Sequence, residues 1–191
     1  MRYILLSLKL LLYGYLAYIL YILAFEYEPA NSAFHPPFLL FVVDWVNLFI
    51  HEAGHLFFKL FGRFIYILGG SLMQVLLPAL LAVVTWRQSR LRGIGLPLYW
   101  TGENMVNVSV YIRDAPYQRL HLIGKGLIHD WHWILNGDPD VSELLGDAAF
   151  GIGLLVCAAA LGLGVWSAVA MFREAGTLEG DVAVPVRNDW L

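Results

Sequence analysis

The sequence contains an H-E-x-x-H motif, formed by His51, Glu52 and His55, in a stretch that is predicted to be helical. Residues four apart lie on one face of an α-helix, about one turn from each other, so both imidazoles can bind one metal ion. Glu52 follows the first histidine directly, where a carboxylate can take a proton from a metal-bound water molecule. The motif therefore predicts a metal site with hydrolytic chemistry, and zinc (Zn2+) is the ion that such ligands favour.

The helix that carries this motif is apolar except for one narrow polar stripe. At about 100° per residue, the stripe contains Asp44, Asn47, His51 and His55. The surrounding segment, Phe38–Leu60, is long enough to cross a bilayer. Ionisable residues are costly inside a membrane and are rare there without a partner. We therefore expect the stripe to face protein or water and to include a metal site, although so short a motif also occurs by chance.

A catalytic zinc ion usually has three protein ligands and one open position, so the histidine pair needs a third ligand. If the chain crosses the membrane five times, Asp114 ends at the same membrane level as His55, which makes Asp114 the first choice. His129 and Asp130 lie in the following loop, on the same side, and remain alternatives. Their cluster, HDWHW, can also be an interfacial helix whose tryptophans lie at the level of the lipid headgroups.

The composition places this chain among membrane proteins. Of its 191 residues, 59% are hydrophobic and only 14% are charged, far from the balance of a soluble domain. We predict a single transmembrane domain over residues 1–175 and a loosely ordered tail over 176–191. The net charge of -3 gives no indication of nucleic-acid binding. Cys157 is the only cysteine, which excludes an intramolecular disulfide and a zinc–thiolate cluster.

The apolar segments predict an all-α integral membrane protein with five transmembrane helices. The predicted spans are Tyr3–Phe25, Phe38–Leu60, Ser71–Trp86, Ile94–Arg113 and Asp147–Phe172. The first connection, 26–37, has no Lys or Arg, so we expect this loop outside the cell and the N-terminus in the cytoplasm. The motif would then lie in the cytoplasmic half of the inner or plasma membrane. The basic loop Arg87–Arg92 would then lie outside, against the positive-inside rule. If Arg63–Trp86 were a re-entrant pair, the chain would cross four times.

Glycines mark two further features of the sequence. The segment Phe61–Gly70 either begins the third helix or is a short extended segment within the bilayer, which could pair with an unwound substrate as an added strand. In the last span, the pairs Ala158/Gly162 and Ala160/Gly164 follow the small-xxx-small pattern, which predicts close contact with another helix.

Three features together resemble the site-2 protease group of intramembrane zinc metalloproteases. They are H-E-A-G-H inside a span, a Gly-containing segment directly after it, and an Asn-to-Asp segment two spans later. The resemblance covers roughly residues 40–115. It implies a three-helix metal-binding core made of the second to fourth spans, with zinc held by two His and one Asp.

On this resemblance, His51 and His55 are the imidazole ligands and Glu52 is the general base. Asn107 and Asp114 correspond to the family's Asn-Pro…Leu-Asp-Gly segment. Here no proline follows the asparagine, and the residue after the aspartate is alanine instead of glycine. The family's activity implies a protease that cleaves membrane-anchored substrates near the cytoplasmic face.

A second hypothesis is a non-catalytic subunit of a larger membrane complex, in which the histidine pair holds a structural metal or a tetrapyrrole. The small size of the chain and the loose third motif favour a subunit, whereas Glu52 favours an enzyme, because a structural site needs no base. A di-iron oxygenase would need about eight histidines on the usual pattern, and this chain has six. Under either hypothesis the partners are the lipid bilayer and other membrane proteins, as substrates or as subunits.

Overall fold

The computed structural model describes residues 2–120 and 128–182, and within these ranges all regular structure is helical. The α-helices are α1 (Arg2–Phe25), α2 (Phe38–Phe58), α3 (Arg63–Ser89), α4 (Gly95–Arg113), α5 (Asp130–Leu135) and α6 (Pro139–Val182). Short 3-10 turns at Lys59–Phe61 and Arg90–Arg92 join α2 to α3 and α3 to α4. The all-α prediction is confirmed. The helix α6 includes 176–182 of the predicted tail, whereas 183–191 lie outside the described residues.

Over the described ranges, three helical segments are long and apolar enough to cross a membrane. They are Arg2–Phe25, Arg63–Arg92 and Pro139–Thr177. The helices α2 and α4 are not among them, because they carry the polar residues of the bundle interior. A membrane location is thus supported by composition and length, while the number of crossings stays a prediction.

The helices α1 and α6 pack against each other in opposite directions. Near the start of α1, the ring centroid of Tyr3 lies 5.1 Å from that of Phe172, and Lys9 Nζ lies 3.2 Å from Met171 Sδ. The start of α1 and the C-terminal part of α6 therefore lie at the same end of the bundle. Each complete crossing takes the chain to the other face of the membrane. With an odd number of crossings, the start of α1 and the C-terminal part of α6 would therefore lie at opposite faces. This packing disfavours five complete crossings.

Two exposed ion pairs mark the ends of the bundle. At one end, Arg92 lies 2.7 Å from Glu174, and at the other end Arg113 lies 2.6 Å from Asp147. We call these the Arg92 end and the Arg113 end. Asp147 and Glu174 are 27 positions apart in α6 (174 minus 147), which corresponds to about 40 Å of helix. That length is close to the thickness of a bilayer with its headgroups.

The small residues of α6 differ in whether they contact another helix. Ala160 is fully buried, and a Cβ added at Gly95 of α4 would lie 3.1 Å from the Cα of Gly164. The predicted close contact at Ala160/Gly164 is therefore confirmed. Gly162 has open space where a Cβ would lie, and Ala158 is exposed, so the other pair does not face a helix.

The packing makes a prediction about topology. The start of α1 and the end of α3 lie at the Arg92 end, whereas the motif and the start of α6 lie at the Arg113 end. We expect reporters fused at the N-terminus and at Gln88 to be on one side of the membrane, and a reporter at Asp140 on the other. The N-terminus and the motif then lie on opposite sides of the membrane, so they cannot both be cytoplasmic, contrary to the prediction from the sequence. If Gln88 and the N-terminus were on opposite sides, as five crossings require, the packing described here would be wrong.

Candidate metal centre

Glycines on two helices make room for the first histidine of the motif. Gly70 lies directly against the imidazole of His51, since a Cβ added there would lie 2.7 Å from its Cδ2 atom. One turn further along α2, Gly54 lies against Gly69 of α3. Both glycines of α3 lie inside a continuous helix that begins at Arg63. The alternative prediction, that Phe61–Gly70 is an extended segment, is therefore wrong from residue 63 onward. Since this region is helical, it offers no strand edge to a substrate.

The structure brings His51, His55 and Asp130 together as a group that could hold a metal ion, with their candidate ligand atoms within 4.8 Å of one another. The Nε2 atoms of His51 and His55 lie 2.9 and 3.2 Å from the same Oδ2 atom of Asp130. Burial alone would raise the pKa of the Asp130 carboxyl, but its contacts with the two histidines outweigh burial, and the pKa lies below its ordinary value. The carboxylate is therefore the stable form.

The hydrogen bonds of both rings fix which nitrogen is free to bind a metal. His51 Nδ1 lies 3.2 Å from the amide oxygen of Gln74, and His55 Nδ1 lies 2.8 Å from the backbone carbonyl oxygen of Tyr66. Because a carbonyl oxygen can only accept, each Nδ1 carries the hydrogen, and each neutral ring has its lone pair on Nε2. Two lone pairs then face one carboxylate oxygen. A neutral pair of rings repels this oxygen unless a cation lies between them, whereas a protonated ring donates to it, so either a bound metal ion or a proton satisfies the group.

The orientation of the Gln74 amide follows from a chain of hydrogen bonds that begins at Asp44. The Asp44 carboxylate only accepts, taking hydrogen bonds at Oδ1 from the Tyr27 hydroxyl (2.8 Å) and from Asn107 Nδ2 (3.1 Å). Asn107 must then present its Oδ1, which accepts from Gln74 Nε2 at 2.7 Å. The amide oxygen of Gln74 is thereby left to accept from His51 Nδ1. The chain crosses from α2 through α4 and α3 back to α2.

The predicted polar stripe of α2 also contacts α4 at Asn47. Its Nδ2 donates to both carboxyl oxygens of Glu103, at 2.9 and 3.1 Å, and its Oδ1 accepts from Trp100 Nε1 at 2.8 Å. Glu103 is only 2% exposed. The stripe faces protein, as expected. Gln74 was not predicted to support the site, although a polar residue in an apolar segment is a signal that could have identified it.

Two side chains hold α5, and therefore Asp130, against α3. Trp131 Nε1 donates to Ser71 Oγ at 3.0 Å, and the guanidinium of Arg63 lies over the ring of Trp133 at 5.1 Å. The tryptophans of HDWHW thus have protein partners, so an interfacial role does not account for them fully. Asp130 reaches the histidine pair because α5 is fixed at this place.

Asp114, the first choice for the third ligand, lies beside this group and has other partners. Its Oδ1 and Oδ2 accept from the backbone N–H groups of Arg119 and Leu120, both at 2.9 Å. The Nε2 atom of His129 lies 3.3 Å from Asp114 Oδ2, while the Nδ1 atom of His129 caps the start of α5. Burial lowers the pKa of His129, which favours the neutral ring that this cap needs. Asp114 thus anchors the loop before Asp130.

Glu52 is exposed and lines a cavity of about 470 Å³ that it shares with His51, His55 and Asp130. In the described part of the chain Glu52 has no hydrogen-bond partner, so its carboxylate is free to act on a molecule in the cavity. The structure therefore places Glu52 in the same cavity as the group that could hold a metal.

No protein-family model, curated protein or solved structure matches this chain. The resemblance to site-2 proteases therefore stays a prediction from the motif. The chemistry of the site rests on its own residues, namely two imidazole nitrogens and one carboxylate, with a second carboxylate in the same cavity.

The identity of the third ligand can be tested by comparing Asp130→Asn with Asp114→Asn. We expect Asp130→Asn to weaken zinc retention at least tenfold, because an amide is a poorer zinc ligand than a carboxylate. Asp114→Asn should change retention much less, since its role is to accept hydrogen bonds from the loop. The measurement is the zinc content of the purified protein after dialysis against a graded chelator. The opposite result would restore Asp114 as the ligand.

The hydrogen bond from His51 to Gln74 makes a second prediction. Gln74→Leu removes the acceptor that holds the ring, so zinc affinity should fall about 10- to 100-fold. The control Gln88→Leu makes the same change at the exposed end of α3. Affinities are measured by competition titration, beside thermal unfolding of the metal-free protein. Wild-type affinity in Gln74→Leu would contradict this role.

Proposed function

We propose that this protein is an intramembrane zinc metalloprotease that cleaves membrane-anchored substrates near the Arg113 end of its bundle. The observation that carries the proposal is the free Glu52 carboxylate in the same cavity as His51, His55 and Asp130. Three helical segments apolar enough to cross a membrane support its location in the inner or plasma membrane. Its partners would then be the bilayer and a membrane-protein substrate.

Each residue has a defined part in this proposal. His51 and His55 would bind zinc through Nε2 and Asp130 through a carboxylate oxygen, because these atoms converge. Bound zinc would acidify a water molecule and polarise the scissile carbonyl group. Glu52 would accept the proton of that water and return it to the leaving amine. Gln74 and the Tyr66 carbonyl hold the two rings in the tautomer that leaves Nε2 free.

The second candidate is a non-catalytic membrane subunit with a structural metal. The extensive hydrogen bonding around His51 favours it, because buried polar networks also rigidify a fold. A tetrapyrrole fits less well than a single ion, since both Nε2 atoms lie close to one carboxylate oxygen and leave no room for a macrocycle between them. Glu52 separates the two candidates, because only an enzyme needs a base there.

The test of catalysis is Glu52→Gln, which keeps the size and polarity of the side chain but cannot accept a proton from water. We expect turnover to fall about a hundredfold or more, the usual scale for loss of a general base, with zinc content unchanged. Cleavage of a panel of single-span peptides in proteoliposomes is followed by mass spectrometry, with Glu143→Gln, in an exposed turn of α6, as the control.

A structural subunit would give a different pattern. Wild-type protein would then cleave no peptide, Glu52→Gln would leave stability unchanged, and His51→Ala would lower the thermal stability of the zinc-loaded protein. That combination would refute the protease proposal while leaving the metal site in place.

A further inference from the structure

We propose that the cavity also contains a subsite for a cationic group, in which Asp44 binds a guanidinium or ammonium group of the substrate. This inference rests on the proposed function, because it assigns a class of substrate to the same cavity. Asp44 lines that cavity together with the two histidines of the motif.

The hydrogen bonding of Asp44 leaves one of its oxygens unused. Both of its donors, the Tyr27 hydroxyl and Asn107 Nδ2, are neutral, and both bind Oδ1. In the part of the chain that the structure describes, Oδ2 has no hydrogen-bond partner, and no Lys or Arg forms an ion pair with this carboxylate. A carboxylate at the edge of an apolar bundle is costly without a positive partner. A cationic ligand would supply that partner.

The charges around the cavity favour a cation as well. Among the described residues that line it, the carboxylates are Asp44, Glu52 and Asp130, and no Lys or Arg is present. With both histidines neutral and a divalent ion bound (+2), the three carboxylates (-3) would leave the described lining with a net charge of -1. Such a cavity attracts positive groups and disfavours an anionic substrate.

The distance between Asp44 and His51 along α2 indicates how far the subsite lies from the bond that would be cleaved. Asp44 precedes His51 by seven residues in α2, which is about 10 Å along the helix. An extended peptide advances about 3.3 Å per residue, so this distance corresponds to about three residues. The substrate class is therefore a membrane-anchored segment with a basic residue about three positions from the scissile bond.

Two synthetic probes test the subsite by binding alone. Each carries a hydroxamate, which binds zinc, joined by a spacer of about 10 Å to either a guanidinium group or a urea of the same shape. Dissociation constants are measured by calorimetry with the zinc-loaded, full-length protein in detergent. We expect the guanidinium probe to bind wild type about tenfold more tightly than the urea probe, because a charge-assisted hydrogen bond is gained.

Asp44→Asn should reduce this preference to about one. Because Asp44 also orients Asn107, and through it Gln74, the preference is taken as the ratio of the two dissociation constants within each variant, and the zinc content of each variant is measured beside it. The matched control is Asp140→Asn, the same change at an exposed aspartate at the start of α6, and it should keep the full preference. Equal affinities for the two probes in wild type, or an undiminished preference in Asp44→Asn, would overturn the subsite. If neither probe bound wild type, the zinc site itself would be refuted, and the subsite with it.

Discussion

The position of α5 and the polar network around His51 both depend on the contact of two imidazole nitrogens with one carboxylate oxygen. The Nε2 atoms of His51 and His55 converge on a single oxygen of Asp130, while both Nδ1 atoms donate to carbonyl oxygens. This arrangement is unfavourable when both rings are neutral and nothing positive lies between them. A cation at this point turns repulsion into attraction. It also links α2 to α5, whose position on α3 is otherwise fixed by only a few side chains.

The same constraint explains why polar residues far from this point are buried. A ring whose tautomer must be fixed needs an acceptor of fixed orientation, and an amide has a fixed orientation only if its own partners are fixed. Gln74 obtains its orientation from Asn107, and Asn107 obtains its orientation from Asp44. The chain of hydrogen bonds ends at Asp44 because a carboxylate only accepts. The polar side of α4 is therefore part of the support of His51.

The sequence predicted those features of the site that depend on a single helix. Helical periodicity alone placed Asp44, Asn47, His51 and His55 on one stripe, and the structure gives each of them a polar partner. The third member of the group was harder to predict, because Asp130 reaches the histidines only through the docking of α5. Asp114 lay nearer in sequence, but the loop that follows it supplies two N–H groups to its carboxylate. The spacing of residues in the sequence does not show which of these two aspartates reaches the histidines.

The number of crossings was also beyond the reach of sequence patterns. The α-helices were predicted from apolar length, and α1, α2 and α4 correspond to predicted spans, while α3 and α6 each begin eight residues before their predicted starts. Charge bias could not fix the topology, since basic residues lie at both the Arg92 end and the Arg113 end. In the described residues, the contact between the start of α1 and the C-terminal part of α6 places these two segments at the same end of the bundle.

Three acidic side chains inside the bundle have different surroundings, and the differences indicate different roles. Glu103 is enclosed by amide donors and is almost inaccessible, which suits a group that ties α2 to α4. Asp130 faces two imidazoles, which suits a metal ligand. Asp44 has neutral donors on one oxygen and none on the other, and it lines the cavity. The second oxygen is not among the buried unpaired atoms of the described residues, so it is accessible from the cavity. It is therefore the acceptor that the proposed cationic group would occupy.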